Sequence, residues 1–309
     1  MPPYDWRIMT QRYTPFYRKI GLMAFAIALP LNAQAEDLHL RYEANWGGIH
    51  VADFTLSLIK EGDSFENRFH LESRGLTRYF TNLSAIATSR GRIVKPPKPM
   101  DGLNGIRNGA ADMALAETYI AETYRTEYTN KKHFRWVDIA FGAPGIAAKA
   151  VTGTRPTPGR EDRWNPKEKG PEVLEKVDPE FRTGVNDPIT LIPQIIAIVR
   201  AHLIGGPESG VAKGFDGRRR FDMHITHLGA KQRTIAGVLH DTYRVRIVPN
   251  PVAGFKNRHK TLWNNSAYDF YLSRDGRFAP LQIVPVNHGP VLTMVAACEQ
   301  DCEIKAEED

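Results

Sequence analysis

The sequence predicts a mostly β, antiparallel domain wrapped around one central helix, and three observations carry that prediction. Apolar residues alternate at a period of two through segment after segment, the mark of strands with one buried face. Turns rich in Gly, Asn and Asp separate those segments at hairpin spacing. A single strongly apolar helical pattern, Val185 to Gly206, stands between the two groups of strands.

Residues 1–35 read as a secretory signal rather than as fold. Arg7, Arg12, Arg18 and Lys19 give a positive start, Leu22 to Leu29 an apolar run, and Ala33-Gln34-Ala35 a small-x-small cleavage site. That run is far shorter than the ~20 residues a spanning helix needs, so no transmembrane segment is expected after cleavage. The expected location is the periplasm, with 36–309 as a single β-rich domain. Of the 41 Lys and Arg and 35 Asp and Glu, the signal holds four and one, so the formal charge falls from +6 to +3. With Arg218-Arg219-Arg220 as the one dense basic run, this balance gives no footing for a nucleic-acid partner.

From Leu38 the strand pattern begins. Leu38, Leu40, Tyr42 and Trp46 fall on one face, with Arg41 and Glu43 on the other. Gly47-Gly48 permits a tight turn. Ile49, Val51, Phe54, Leu56 and Leu58 continue the alternation with a phase slip near Ala52-Asp53 that a β-bulge explains. Phe65, Phe69 and Leu71 make a third strand. Arg78 to Ile86 reads equally as helix or strand, Ser89 to Val94 is a strand stopped by Pro96-Pro97, and Asp101 to Tyr119 reads as an insertion with one short helix. Tyr124–Tyr128 and Phe134–Ile139 form a hairpin around Asn130-Lys131-Lys132. Residues 142–184 hold six prolines and no sustained period, which predicts a long flexible loop.

The helix is expected over 187–204, because Ile189, Ile192, Ile195, Ile196, Val199 and Leu203 lay one apolar stripe along a 3.6-residue period. Asp187-Pro188 supplies a start and Gly205-Gly206 a stop. Pro193 predicts a kink or a first turn offset from the main helix. Alternation then resumes at Phe221–Ile225, Tyr243–Ile247 and Tyr268–Leu272, turns at Ser273–Arg277, and ends with Leu281–Val286 and Val291–Ala296. The two cysteines, Cys298 and Cys302, are expected as a local disulfide in an oxidising compartment, two free thiols being the alternative.

Catalytic patterns are missing. No G-x-S-x-G elbow, H-E-x-x-H helix, phosphate-cradling G-x-x-x-x-G-K or dinucleotide fingerprint occurs. His224 and His227, three apart on a strand, point to opposite faces and make no metal pair. No catalytic residue, metal ligand or cofactor is expected.

Several motifs in their order carry a resemblance. Tyr42-x-x-x-Trp46-Gly47-Gly48-Ile49, Arg74-Gly75-Leu76 leading to Arg90-Gly91, Val185-Asn186-Asp187-Pro188, Phe221 after Asp216-Gly217-Arg218, and Tyr271-Leu272-Ser273-x-Asp275-Gly276-x-x-x-Pro280 resemble the exported bacterial domain-of-unknown-function 3108 family (DUF3108). Asp53, where that family tends to place glycine, the Asp101–Tyr119 insertion and Pro193 depart from it. The resemblance implies an architecture like that of periplasmic lipoprotein carriers, an incomplete (half) β-barrel around a helix with an apolar hollow. Since one helix is too few to cover two β meanders, a lipid or other apolar ligand is expected between sheet and helix. Trp46, Phe54, Ile192, Ile196, Val199, Tyr243 and Phe270 are the expected lining. The alternative is a scaffold of envelope assembly whose concave side is filled by its own side chains, with an envelope protein as partner. A monomer is expected in either case.

Overall fold

The computed structural model describes residues 37–95, 117–142, 145–156, 172–173, 177–287 and 289–304. The chain divides into Met1–Gln34 and Ala35–Asp309. The expected signal, residues 101–116 of the expected insertion and residues 157–171 of the expected loop lie outside the described residues.

Two meanders build the fold. The first runs β1 (Leu38–Trp46), β2 (Ile49–Glu61), β3 (Ser64–Ser73), a short helix α1 (Gly75–Thr81), β4 (Ser84–Val94), β5 (Thr118–Thr129), β6 (His133–Gly142), β7 (Ile146–Pro156) and β8 (Glu172–Val173). A 3-10 turn at Pro179–Arg182 leads to α2 (Leu191–Leu203). The second runs β9 (Ser209–Phe215), β10 (Arg220–Ile235), β11 (Val238–Ala253), α3 (Asn257–Asn264), β12 (Tyr268–Ser273), β13 (Pro280–Pro285) and β14 (Val291–Cys298). Among the described residues these 14 strands form one sheet, ordered β8 to β1 and then β14 to β9, so that β1 and β14 join the meanders.

The strand order leaves β8 and β9 as edges, and a short segment bridges the seam near them. Val185 N donates to Gly145 O (3.0 Å), Asn186 N to Lys213 O (2.8 Å), and Phe215 N to Asn186 O (2.8 Å). The sheet is therefore a nearly closed antiparallel barrel rather than a half-barrel. Unpaired backbone on a strand edge is costly when buried, and side chains satisfy it here as well. β6 pairs only from Thr123 onward along β5. Upstream, Asn186 takes over, accepting from Ala121 N (3.0 Å) and donating to Tyr119 O (2.8 Å), while Gln194 accepts from Tyr119 N (2.8 Å).

The helix contributes to three of the four apolar clusters of the interior, and the turn that leads into it contributes to the other. Ile189 packs with Tyr124, Ile139 and Phe215, and Ile196 with Leu40, Tyr42 and Leu56. Leu191, Ile195 and Val199 pack with Phe221, Ile225 and Val245, and Ala197 with Phe65, Ile93 and Tyr119. Each large side chain so buried contributes about 1.5–3 kcal/mol.

Two expectations need correction. The helix starts at Leu191, after a turn over 188–190, not at Asp187. Pro193 thus falls in the first helical turn, where its missing N–H would have had no intrahelical partner, and it is buried there. The 142–184 stretch is not one loop, since Ile146–Pro156 pairs with β6 along its length. That strand was hidden by its small residues. A side-chain carbon on Gly153 would come within 1.8 Å of the Trp136 indole, so glycine is what allows the ring to lie across the strand.

Candidate ligand-binding site

Strand register fixes which side chains share the inner face. One row across the sheet is Met294, Tyr42, Phe54 and Leu71. The next is Val245, Phe270, Ile283, Leu292, Ala44 and Ala52. Within these rows Tyr42 and Phe54 are buried and stacked at 4.7 Å. Their row neighbours Met294 and Leu71 are half-buried, as are Phe270, Ile283 and Leu292.

The helix explains the difference. Its C-terminal half fills one end of the barrel, where Ala197 meets Phe65 and Ile93, and Arg200 donates to the carbonyls of Gly276 (3.3 Å) and Arg277 (3.0 Å) in the β12–β13 turn. At the opposite end, where the β1–β2, β5–β6 and β13–β14 turns lie, α3 covers the β10–β11 side alone, its Trp263 packing against Phe221 (4.9 Å) and Phe255 (5.0 Å). At that end Leu71, Phe270, Ile283, Leu292 and Met294, with Ile192 of α2, form an apolar wall that is only half covered.

The expected lining residues separate accordingly. Ile192 and Phe270 stand on the half-covered wall, whereas Phe54, Ile196 and Val199 are packed into the core. Tyr243 lies in a ring column at the C-terminal end of α2, 5.4 Å from His227 and 5.8 Å from Phe278, with His202 4.6 Å from His227. Trp46 is corrected outright, being 61% exposed. The β-bulge signalled by the phase slip is the extra residue Val51 of β2, opposite the Ala44/Asn45 step, and Trp46, the last residue of β1, pairs with Ile49 at the rim beside the Gly47-Gly48 turn. The same bulge leaves the Val51 carbonyl to accept from Arg74 N (2.9 Å).

The helix N-terminus is held from below by a buried acid. Asp187 Oδ1 accepts from the amides of Ile189 and Thr190 (both 3.0 Å), and Oδ2 accepts from the hydroxyls of Ser89 (2.5 Å) and Thr190 (2.7 Å). Burial pushes its carboxyl up, and those four donors work in the opposite direction. It anchors the start of α2 to β4.

One cluster has the residue types of a hydrolase triad but not its geometry. Ser57 Oγ donates to Asp301 Oδ1 (2.6 Å), and His39 Nδ1 meets both Ser57 Oγ and Asp301 Oδ1 at 3.0 Å. A triad needs the imidazole between serine and carboxylate, one nitrogen for each, so that it can move a proton. Here one nitrogen faces both partners. Asp301 also engages the Arg68 guanidinium, and hydrogen bonding from Ser57 and Arg68 holds its carboxyl below the usual range. The cluster clasps the C-terminal tail, which is closed by the Cys298–Cys302 disulfide.

A groove of about 690 Å³ lies on the outer face over β4 to β7, lined by three cations, of which Arg90 is engaged by Glu66 (2.8 Å) and Arg125 by Glu127 (2.6 Å), with Lys149 as the third. No cluster of three metal-ligating side chains occurs among the described residues. The expected opposition of His224 and His227 holds, His224 being exposed and His227 buried.

Fold and site define an antiparallel, nearly closed β-barrel with an internal helix and an apolar wall open at one end. No family model matches the chain, DUF3108 included, and no curated protein matches it. A solved structure similar to it is a beta-barrel-like protein of domain of unknown function DUF1849 from Brucella abortus, with 10% identity and a TM-score of 0.37, covering 84% of this chain and 95% of that one.

Proposed function

We propose that the protein is an exported, non-catalytic binding protein of the bacterial envelope, akin to DUF3108 proteins, which holds an acyl chain or other apolar ligand inside its barrel. The observation that carries this reading is the half-covered wall of Leu71, Ile192, Phe270, Ile283, Leu292 and Met294 on the inner face. Six inward-facing apolar side chains left partly wet forgo several kcal/mol of burial that a ligand would recover, at ~25 cal/mol per Å². The wall lies on the concave side, where a slender apolar molecule can lie along α2. The disulfide and the N-terminal signal pattern support export.

Native mass spectrometry of protein purified from its own host should show a bound apolar species. Replacing Leu71 by Trp should fill the wall, reduce the bound fraction about tenfold and leave the melting temperature equal or higher. Wild-type protein that carries no such species, and that does not take up a fluorescent fatty acid, would refute the reading. The scaffold reading has its own support in the stacked Tyr42–Phe54 pair and the packed Ile196 and Val199. Under it, Leu71→Trp would destabilise the fold, and co-purification with an envelope complex would take the place of ligand.

A further inference from the structure

At the open end of the barrel two neighbouring connections carry large, mostly exposed apolar side chains. The β1–β2 turn presents Trp46 and Ile49, and α1 presents Leu76, Tyr79 and Phe80, all between 56 and 72% exposed. They are adjacent, because Gly75 opens α1 against the His50 carbonyl, with 3.4 Å between that oxygen and the position of an added side-chain carbon. No residue of α1 is buried. A seven-residue helix with no buried face cannot rely on its own propensity, and this one is tied down by its backbone: Lys131 N donates to Thr81 O (3.0 Å), and Lys131 Nζ donates to Tyr79 O while standing 4.8 Å from the Tyr79 ring.

The charge on α1 and the β5–β6 turn has one sign, while the carboxylates beside them, Asp53 and Glu72, are engaged by His50 and Arg74. Arg78 lies on α1, and Lys131 and Lys132 form the β5–β6 turn beside it. Neither 75–83 nor 129–135 contains a carboxylate. Aromatic residues ringed by cations match the boundary of an anionic bilayer, where Trp and Tyr sit at headgroup depth and each cation adds about 1 kcal/mol of attraction. A second copy fits poorly. A two-fold contact would set this patch against itself and bring the three cations face to face with their equals.

We infer that the Trp46–Ile49 turn and α1 form a docking surface for anionic lipid membrane, placing the barrel mouth against the bilayer. The surface does not require the interior to hold a ligand, and the two are tested separately.

The test is flotation of the Ala35–Asp309 protein with vesicles of phosphatidylcholine alone or containing about 30% phosphatidylglycerol. Expected is binding at least about tenfold stronger to the anionic vesicles, weakening as salt is raised. Leu76→Ser with Tyr79→Ser and Phe80→Ser should abolish it, and Lys132→Glu should reduce it about tenfold without touching the apolar residues. All four side chains are exposed, so melting temperature and fatty-acid uptake should match wild type. Equal flotation of wild type and triple variant would overturn the proposal, as would no binding to either vesicle. So would a concentration-dependent dimer that protects Trp46 from quenching, since the patch would then belong to a second copy.

Discussion

At the scale of single residues, the interior depends on polar groups with exact partners more than on any one apolar contact. Asp187 receives four hydrogen bonds while fully buried. Asp187→Ala would leave two hydroxyls and two amides without an acceptor and should cost about 2–4 kcal/mol in denaturant unfolding, against a smaller loss for Asp187→Asn, which keeps an acceptor. His227 is the opposite case, a buried imidazole whose Nε2 has no hydrogen-bond partner among the described residues. Burial, then the neighbouring His202, lower its pKa from the ordinary 6.5, while Glu208 acts weakly against them. Tyr243 and His202 face it from β11 and α2. A folded pKa below the unfolded one means that the unfolded chain takes up the proton first. Stability is therefore retained above 6.5 and lost as pH falls from there toward the folded value. Melting temperatures measured between about pH 7 and 5 should fall less steeply for His227→Phe than for wild type. A parallel fall would assign the acid sensitivity to other groups. The sequence disclosed Asp187 as an acceptor for free amides ahead of the helix, but not His227 as the partner of His202, because their proximity depends on where α2 ends against β10.

At the scale of elements, legibility followed side-chain size. β1, β2, β10 to β12 and β14 were visible because Leu, Ile, Val, Phe and Tyr alternate along them. β7 was not, since Ala147, Ala150 and Gly153 carry too little apolar surface to mark a phase. α1 was ambiguous for a related reason: with no buried face it has no period for burial to impose. The short β9 was missed outright. The half-covered wall could be only partly foreseen. Ile192 and Phe270 lie in phase, but which inner residues stay wet is decided by how far α2 reaches into the barrel. The tail illustrates an element held by covalent and polar means together. Reducing Cys298–Cys302 opens a ring of few residues, worth roughly 2 kcal/mol, so the unfolding midpoint should drop modestly. Asp301 should leave Ser57, His39 and Arg68 at the same time, which can be followed as a shift in the His39 ring resonances. Loss of the whole fold on reduction would show that the tail holds more than its own end.

At the scale of the whole molecule, the sheet order has a kinetic meaning. Each meander forms from neighbours in sequence, but β1 and β14 pair across nearly the full length of the domain, His39 opposite Cys298. Contacts so distant close late, because the intervening chain must first be ordered. A chain delivered N-terminus first therefore presents β1 with one edge satisfied by β2 and the other bare until the last strand has emerged. Exposed strand edges recruit other strands. The waiting time of that edge, rather than the stability of the finished barrel, sets the exposure to aggregation, and a nascent-chain chaperone would find its natural target there. The final strand then acts as a stopper for β1.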